Sequence, residues 1–213
     1  MAIKKISELT AGIVPVSADL FVADQSNSTV QITASQLRQY IGAGLSFGFQ
    51  GSAVGYNVDT YLGGSNITIP VAGAWRQNTI YECVFDMTKT AAGTAAFVIT
   101  VRMGTLGTTS DAAIVAFTFG AGTAAVDSGQ FLVSLLFKSV GTGTSAVLGG
   151  IATCHHHLAA TGLVSTGASG FGLVPNASAG FNSTTQTVIG ISVNGGASFV
   201  GTNTFVRSFG LNI

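Results

Sequence analysis

The residues best equipped for chemistry in this chain form one run, Cys154-His155-His156-His157. Three consecutive imidazoles beside a thiol suggest a metal, since zinc takes nitrogen and sulfur ligands. Their spacing argues the other way. In a strand, His155 and His157 project to one face, and Cys154 and His156 to the other. One chain then offers at most two imidazoles per side, short of a closed four-ligand zinc shell. A threefold axis could gather three copies of His155, His156 or His157 around an ion. A polar patch at a strand end or subunit contact is the simpler reading, so no metal or cofactor is expected. The only other cysteine is Cys83, and the spacing to Cys154 fits no zinc or redox motif. Reduced thiols are the expectation for a chain whose start lacks the apolar core of an export signal.

Other combinations are weaker. Glu82 and Asp86 fall on one face of a candidate strand. Residues four apart in a strand lie about 13 Å from each other, beyond the separation of a glycosidase pair. Serine and histidine are present, but no serine-hydrolase arrangement is expected. Gly141-Thr142-Gly143-Thr144-Ser145 has no following lysine and no helix is expected after it, so it is not a phosphate loop. Trp75 could be a ligand platform, yet a lone tryptophan fits a core or an interface better. No catalytic residue is assigned, and no enzyme activity is expected.

The elements that must position these residues are strands. Of 213 residues, 47% are hydrophobic and only 8% are charged, against roughly a quarter charged in an ordinary soluble domain. Alternating or continuous apolar runs mark strands at Ile67–Val71, Thr79–Thr88, Ala95–Met103, Ala112–Phe119, Phe131–Ser139, Ala146–His157, Thr187–Asn194 and Thr204–Leu211. Gly/Thr/Ser/Ala clusters punctuate them, and residues 161–185 read as a long loop. This pattern predicts a mainly β fold, a jelly-roll-like β-sandwich over residues 46–213. Residues 1–41 read as an extended tail, a small hairpin (Leu20–Ala23 and Thr29–Ile32) and one short helix. The helix signal is a capping box, Thr33 with Gln36 three positions on, followed by Leu37, Tyr40 and Ile41 on one face. Residues 42–45, rich in glycine, read as a hinge.

Charge patterning narrows the function. Net charge is zero and no basic stripe exists, so nucleic-acid binding is not expected. The longest apolar runs fall well short of the ~20 residues of a spanning helix, and membrane insertion is not expected. Between Lys138 and Arg207 there is no Lys, Arg, Asp or Glu. A surface without charge gives little colloidal protection, which predicts burial against copies of the same chain. A homotrimer is the expectation.

The opening residues resemble a known pattern. Lys5-Ile6-Ser7-Glu8-Leu9, then Ala18-Asp19-Leu20-Phe21-Val22-Ala23, then Thr33-Ala34-Ser35-Gln36-Leu37 is similar to the N-terminal segment of many tailed-bacteriophage virion proteins: tail fibres, head fibres and capsid-decorating proteins. There a "KISEL" start precedes an extended segment and a "T-x-x-Q-L" helix opening. Those proteins often have proline after the leucine, where Thr10 stands here. The resemblance implies attachment to the virion, to a major capsid or tail protein, through Lys5, Ile6, Ser7, Glu8, Leu9, Leu20 and Leu37. It implies a capsid decoration or cement protein, or a short head fibre, with a receptor-binding tail-fibre tip or tail adaptor as the alternative. For that alternative the sequence shows no groove of aromatics and carboxylates, so a host-surface glycan has no support at this stage.

Overall fold

The computed structural model describes residues 20–25, 28–33, 44–48, 53–69, 72–90, 92–158, 161–165 and 170–211. Two compact units divide the chain, Met1–Gly42 and Ala43–Ile213. In the first, β1 (Leu20–Gln25) pairs antiparallel with β2 (Ser28–Thr33), from Leu20↔Thr33 to Gln25↔Ser28. This is the expected hairpin. The expected helix beyond Thr33 and the Lys5–Leu9 segment lie outside the described residues.

The second unit is a two-sheet sandwich, and no helix occurs among its described residues. Its strands are β3 (Gly44–Gly48), β4 (Ala53–Gly55), β5 (Thr60–Tyr61), β6 (Ile67–Thr68), β7 (Ile80–Lys89), β8 (Ala96–Gly104), β9 (Ala112–Ala121), β10 (Asp127–Ser139), β11 (Val147–His156), β12 (Phe171–Ala177), β13 (Val188–Asn194), β14 (Gly201–Asn203) and β15 (Val206–Leu211). The large sheet runs β12-β11-β10-β7-β14-β4, with β15 joining β7 to β3 alongside. The small sheet runs β5-β13-β8-β9, with β6 also on β13. All pairings are antiparallel.

The connections give the jelly roll its character. β7 crosses to the small sheet as β8, which makes a hairpin with β9, and β10 returns to lie beside β7. β13 then enters the small sheet beside β8, and β14 and β15 close the large sheet beside β7. With β3/β4, β5/β6 and β14/β15 each counted as one broken strand, every sheet has four jelly-roll positions. The meander β11-β12 is an addition to that plan. It extends the large sheet beyond β10 and turns towards the small sheet, where Asn176 Nδ2 donates to Ala116 O of β9 at 2.6 Å.

Alternation explains the layers. On β7, Tyr81, Cys83, Phe85 and Met87 are buried while Ile80, Glu82, Val84 and Asp86 face outward. Phe131 of the large sheet stacks between Phe85 and Phe97, with centroids 5.0 and 4.8 Å away, and so ties the sheets together. Trp75 is core, stacked on Phe137 at 5.2 Å, with Nε1 donating to Gln186 O. Its burial leaves no role as a ligand platform. Two sequence readings change. Residues 161–185 hold the strand β12 rather than only a loop. Gly44 and Leu45, read within the hinge 42–45, begin strand β3 and pair with Gly210 and Phe209.

Candidate functional site

The feature that stands out is the outer face of the large sheet. In an antiparallel ladder directly opposed residues share a face, so the register lays this surface out in rows. One row is Leu173, Thr153, Leu132, Val84 and Arg207. The next is Pro175, Ile151, Ser134, Glu82 and Phe209. The last is Gly149, Leu136, Ile80 and Leu211. Leu173 is 51% and Leu211 46% exposed, and Leu136 and Ile151 are exposed too. Glu82 accepts a hydrogen bond from Ser134 Oγ at 3.1 Å. A shallow groove of about 300 Å³ crosses this end between Ile80, Leu136 and Ile151.

The other sheet is different. Its outer side carries Arg102, which pairs with Asp59 and donates to Ser192 Oγ at 2.7 Å. Gly190 lies under the Tyr61 hydroxyl, so a side chain at 190 would collide with it. Asp111 organises the β8–β9 turn, accepting from the amides of Thr105, Leu106, Gly107 and Thr108. This side carries polar side chains bonded to one another and to the turn, whereas the large sheet's face exposes apolar side chains.

At its opposite end the large sheet turns polar. Phe171, His155, Gln130 and Asp86 stand in register on successive strands, and Phe205 O accepts from Asp86 N to continue the row. The second polar row is His157, Ser128, Thr88 and Thr202. A groove of about 430 Å³ lies over the middle of these rows, between Asp86, Thr88, Ser128, Gln130, His155 and His157. The Asp86 carboxylate is engaged by Thr204 N (2.9 Å), Thr204 Oγ1 (2.6 Å), Phe205 N (2.6 Å) and Asn203 Nδ2 (3.2 Å).

The histidine run is split as strand parity requires. His155 is exposed against Phe171, centroids 4.6 Å apart. His157 Nδ1 is 3.0 Å from Ser128 Oγ. His156 points inward, and its Nδ1 donates to Asp127 Oδ2 at 2.7 Å. Beside this pair Lys89 is fully buried, donating to the carbonyls of Gly93 (3.1 Å), Gly162 (2.6 Å) and Thr123. Burial lowers the Lys89 ammonium, against the pull of Asp127. Burial raises the Asp127 carboxyl, but hydrogen bonds from Leu163 N and His156 outweigh it and hold the group below its ordinary value. Neither Lys89 nor Asp127 stood out in the sequence. Parity could have found them: Lys89 continues the inward series Tyr81, Cys83, Phe85, Met87, and Asp127 is in phase with Phe131. The cluster pins Leu158, Gly162 and Leu163 to the sheet. Both side chains of the His156–Asp127 pair are fully shielded from solvent, so neither is placed to act on a substrate.

Among the described residues no group of three or more His, Cys, Asp or Glu could hold a metal ion. Glu82 and Asp86 do share the outer face, two rows apart. The expectation of no serine-hydrolase arrangement overlooked one match: Gly44-Leu45-Ser46-Phe47-Gly48 has the Gly-x-Ser-x-Gly spacing. That spacing works only at a sharp strand-to-helix turn, whereas here it is β3, paired along its length with β15. Of the residues tied to attachment, Lys5, Ile6, Ser7, Glu8, Leu9 and Leu37 lie outside the described residues, and Leu20 opens β1.

No family model and no curated protein matches the chain. Among solved structures, one of infectious bursal disease virus, Gx strain, aligns with 92% of this chain at 8% identity and a TM-score of 0.21. The alignment spans 45% of that viral chain.

Proposed function

We propose that the chain is a non-enzymatic structural protein of a tailed-bacteriophage virion, a capsid decoration protein or short head fibre. Its N-terminal segment holds it to a major capsid or tail protein, and its jelly-roll domain assembles as a homotrimer. The observation that carries this reading is the outer face of the large sheet. It presents Leu173, Ile151, Leu136 and Leu211 to solvent, with Glu82, Arg207 and Lys138, which lies over Gly149, as its charged residues. Five adjacent strands about 4.8 Å apart, some seven residues long, make a footprint of roughly 500–600 Å². That whole-face footprint, which includes Thr153, Ser134, Glu82 and Arg207, comes near the low end of one side of a stable interface, about 600 Å². Composition of this kind suits a permanent contact between copies better than a transient encounter. The resemblance of residues 5–37 to virion-anchoring segments supports the attachment role.

The test is light scattering on the purified full chain, with and without Ile151→Asp and Leu173→Asp together. The expected mass is three times the 21.5 kDa chain, falling to that of one chain in the double variant. A wild-type protein that stays monomeric at micromolar concentration overturns the reading. The alternative, a receptor-binding tail-fibre tip, draws support from the polar groove between Phe171 and Phe205.

A further inference from the structure

We infer that the polar end of the large sheet is a binding groove for a neutral oligosaccharide. The inference rests on the groove alone and holds wherever on a particle the protein sits. The 430 Å³ volume falls within the range of ligand pockets. Its floor is made by side chains that both donate and accept hydrogen bonds: the Gln130 amide, the Thr88 and Ser128 hydroxyls, and the His155 and His157 imidazoles. Sugar hydroxyls need that mixture. Exposed aromatic rings stand at both ends of the row, Phe171 and Phe205, where they can meet the apolar C–H faces of sugar rings. From β12 to β15 the row spans four strand spacings, about 19 Å, the length of a short oligosaccharide.

Other ligand classes fit less well. No Lys or Arg lines the groove, and the Asp86 carboxylate lies in it, so a phosphate or sulfate group would meet a negative charge without a cation to offset it. An extended peptide would find no free ladder beneath the groove, because β7, β10 and β11 are each already paired on both sides. Asp86 is saturated by Thr204, Phe205 and Asn203. Glu82 is about 13 Å along the strand. The groove therefore binds without hydrolysing.

The experiment presents the full-length protein to a printed array of neutral hexose and N-acetylhexosamine tetrasaccharides, with sulfated tetrasaccharides alongside. Wild type, Gln130→Ala, His155→Ala and Leu106→Ser are compared, and melting curves establish that each is folded. The expected result is binding to at least one neutral tetrasaccharide, weakened tenfold or more by Gln130→Ala and by His155→Ala. Leu106→Ser, exposed in the β8–β9 turn of the other sheet, leaves it unchanged. Titration calorimetry with the best array ligand measures the affinities. Binding to sulfated sugars only, no binding at all, or binding indifferent to both groove variants overturns the inference. None of these outcomes bears on trimer formation, which light scattering reads separately.

Discussion

Lys89→Met tests how the buried cluster contributes to stability. Methionine keeps most of the stem volume, so the change chiefly removes the ammonium. It takes away the donor serving the carbonyls of Gly93, Thr123 and Gly162 and the cation next to Asp127. Losing one partner of a buried charged pair costs about 3–5 kcal/mol, because the other charge stays buried. The desolvation that depresses the lysine is relieved in the variant, which favours the lower half of that range. For a domain of this size 1 kcal/mol moves the melting temperature by about 2–4 °C, so a fall of about 6–16 °C is expected. Denaturant unfolding at matched protein concentration reads the energy directly. Lys89→Met, Asp127→Asn and the double variant form a cycle that isolates the coupling. Asp127→Asn alone should also be costly, since it weakens the bonds from His156 Nδ1 and Leu163 N. A loss below 1 kcal/mol for Lys89→Met, or strict additivity in the cycle, refutes the account of Lys89 as the counter-charge that fastens Gly162 and Leu163 to the sheet.

Alkaline stability should be governed by the thiols. Burial pushes Cys83 and Cys154 from 9.0 up to about 12, so above pH 9 the unfolded chain ionises while the folded one does not, and stability falls. Each thiol costs about 1.4 kcal/mol by pH 10. Lys89 acts in the opposite sense, so the thiol dependence is read as the difference between wild type and Cys83→Ala, whose melting temperature should fall less steeply from pH 8 to 10; equal slopes refute it. On the acid side Asp127, held low in the fold, contributes stability above its unfolded value of 3.8 that disappears as pH drops through the folded value. Asp127→Asn should flatten the melting profile there. Chelator should leave the melting temperature unchanged, and a drop restored by zinc or nickel would mean that His155 or His157 meets its symmetry copies around a metal. Replacing Ile6 and Leu9 together by Asp should deplete the protein from particles without shifting the melting temperature, because each apolar side chain lost from a pocket on a partner gives up about 1.5–3 kcal/mol. Normal occupancy would place attachment in the β domain.

Much of the architecture was legible because a strand's two-residue period writes burial directly into sequence. Ile80–Lys89 alternates without a break, so β7 could be placed within a residue, and parity alone separated His155 and His157 from His156. β12 was missed because both of its faces look alike: Phe171, Leu173 and Pro175 point outward and Val174 inward, so apolar residues fall on either side. The split of the last strand was missed for a different reason. Asp86, distant in sequence, gathers Thr204 and Phe205 and separates β14 from β15. The groove was invisible because its residues come from separate strands and meet only through register. Gln130 opposes Asp86 on one side and His155 on the other, and no local spacing carries that information.

The charge-free stretch contains the addition to the jelly roll. Between Lys138 and Arg207 the chain forms β11 and β12, the two strands that the jelly-roll plan does not require, before β13 and β14, which it does. A meander placed at the margin of a monomer would ordinarily expose polar or charged residues, since an open apolar edge invites association. Here it does the reverse. Ile151 and Leu173 extend outward rows begun by Ser134 and Leu132 on β10, and β12 is itself the edge of the sheet. The inward side of the same strands, Leu148, Ala152, Cys154 and Val174, is apolar because it continues the core. Apolar residues on both faces of a marginal strand are the pattern of a strand covered on both faces. In the single chain only the inner face is covered. The symmetric partner that would cover the outer one is therefore implied by the composition of the very segment that widens the sheet, and replacing that meander with a short turn should leave a soluble, monomeric jelly roll.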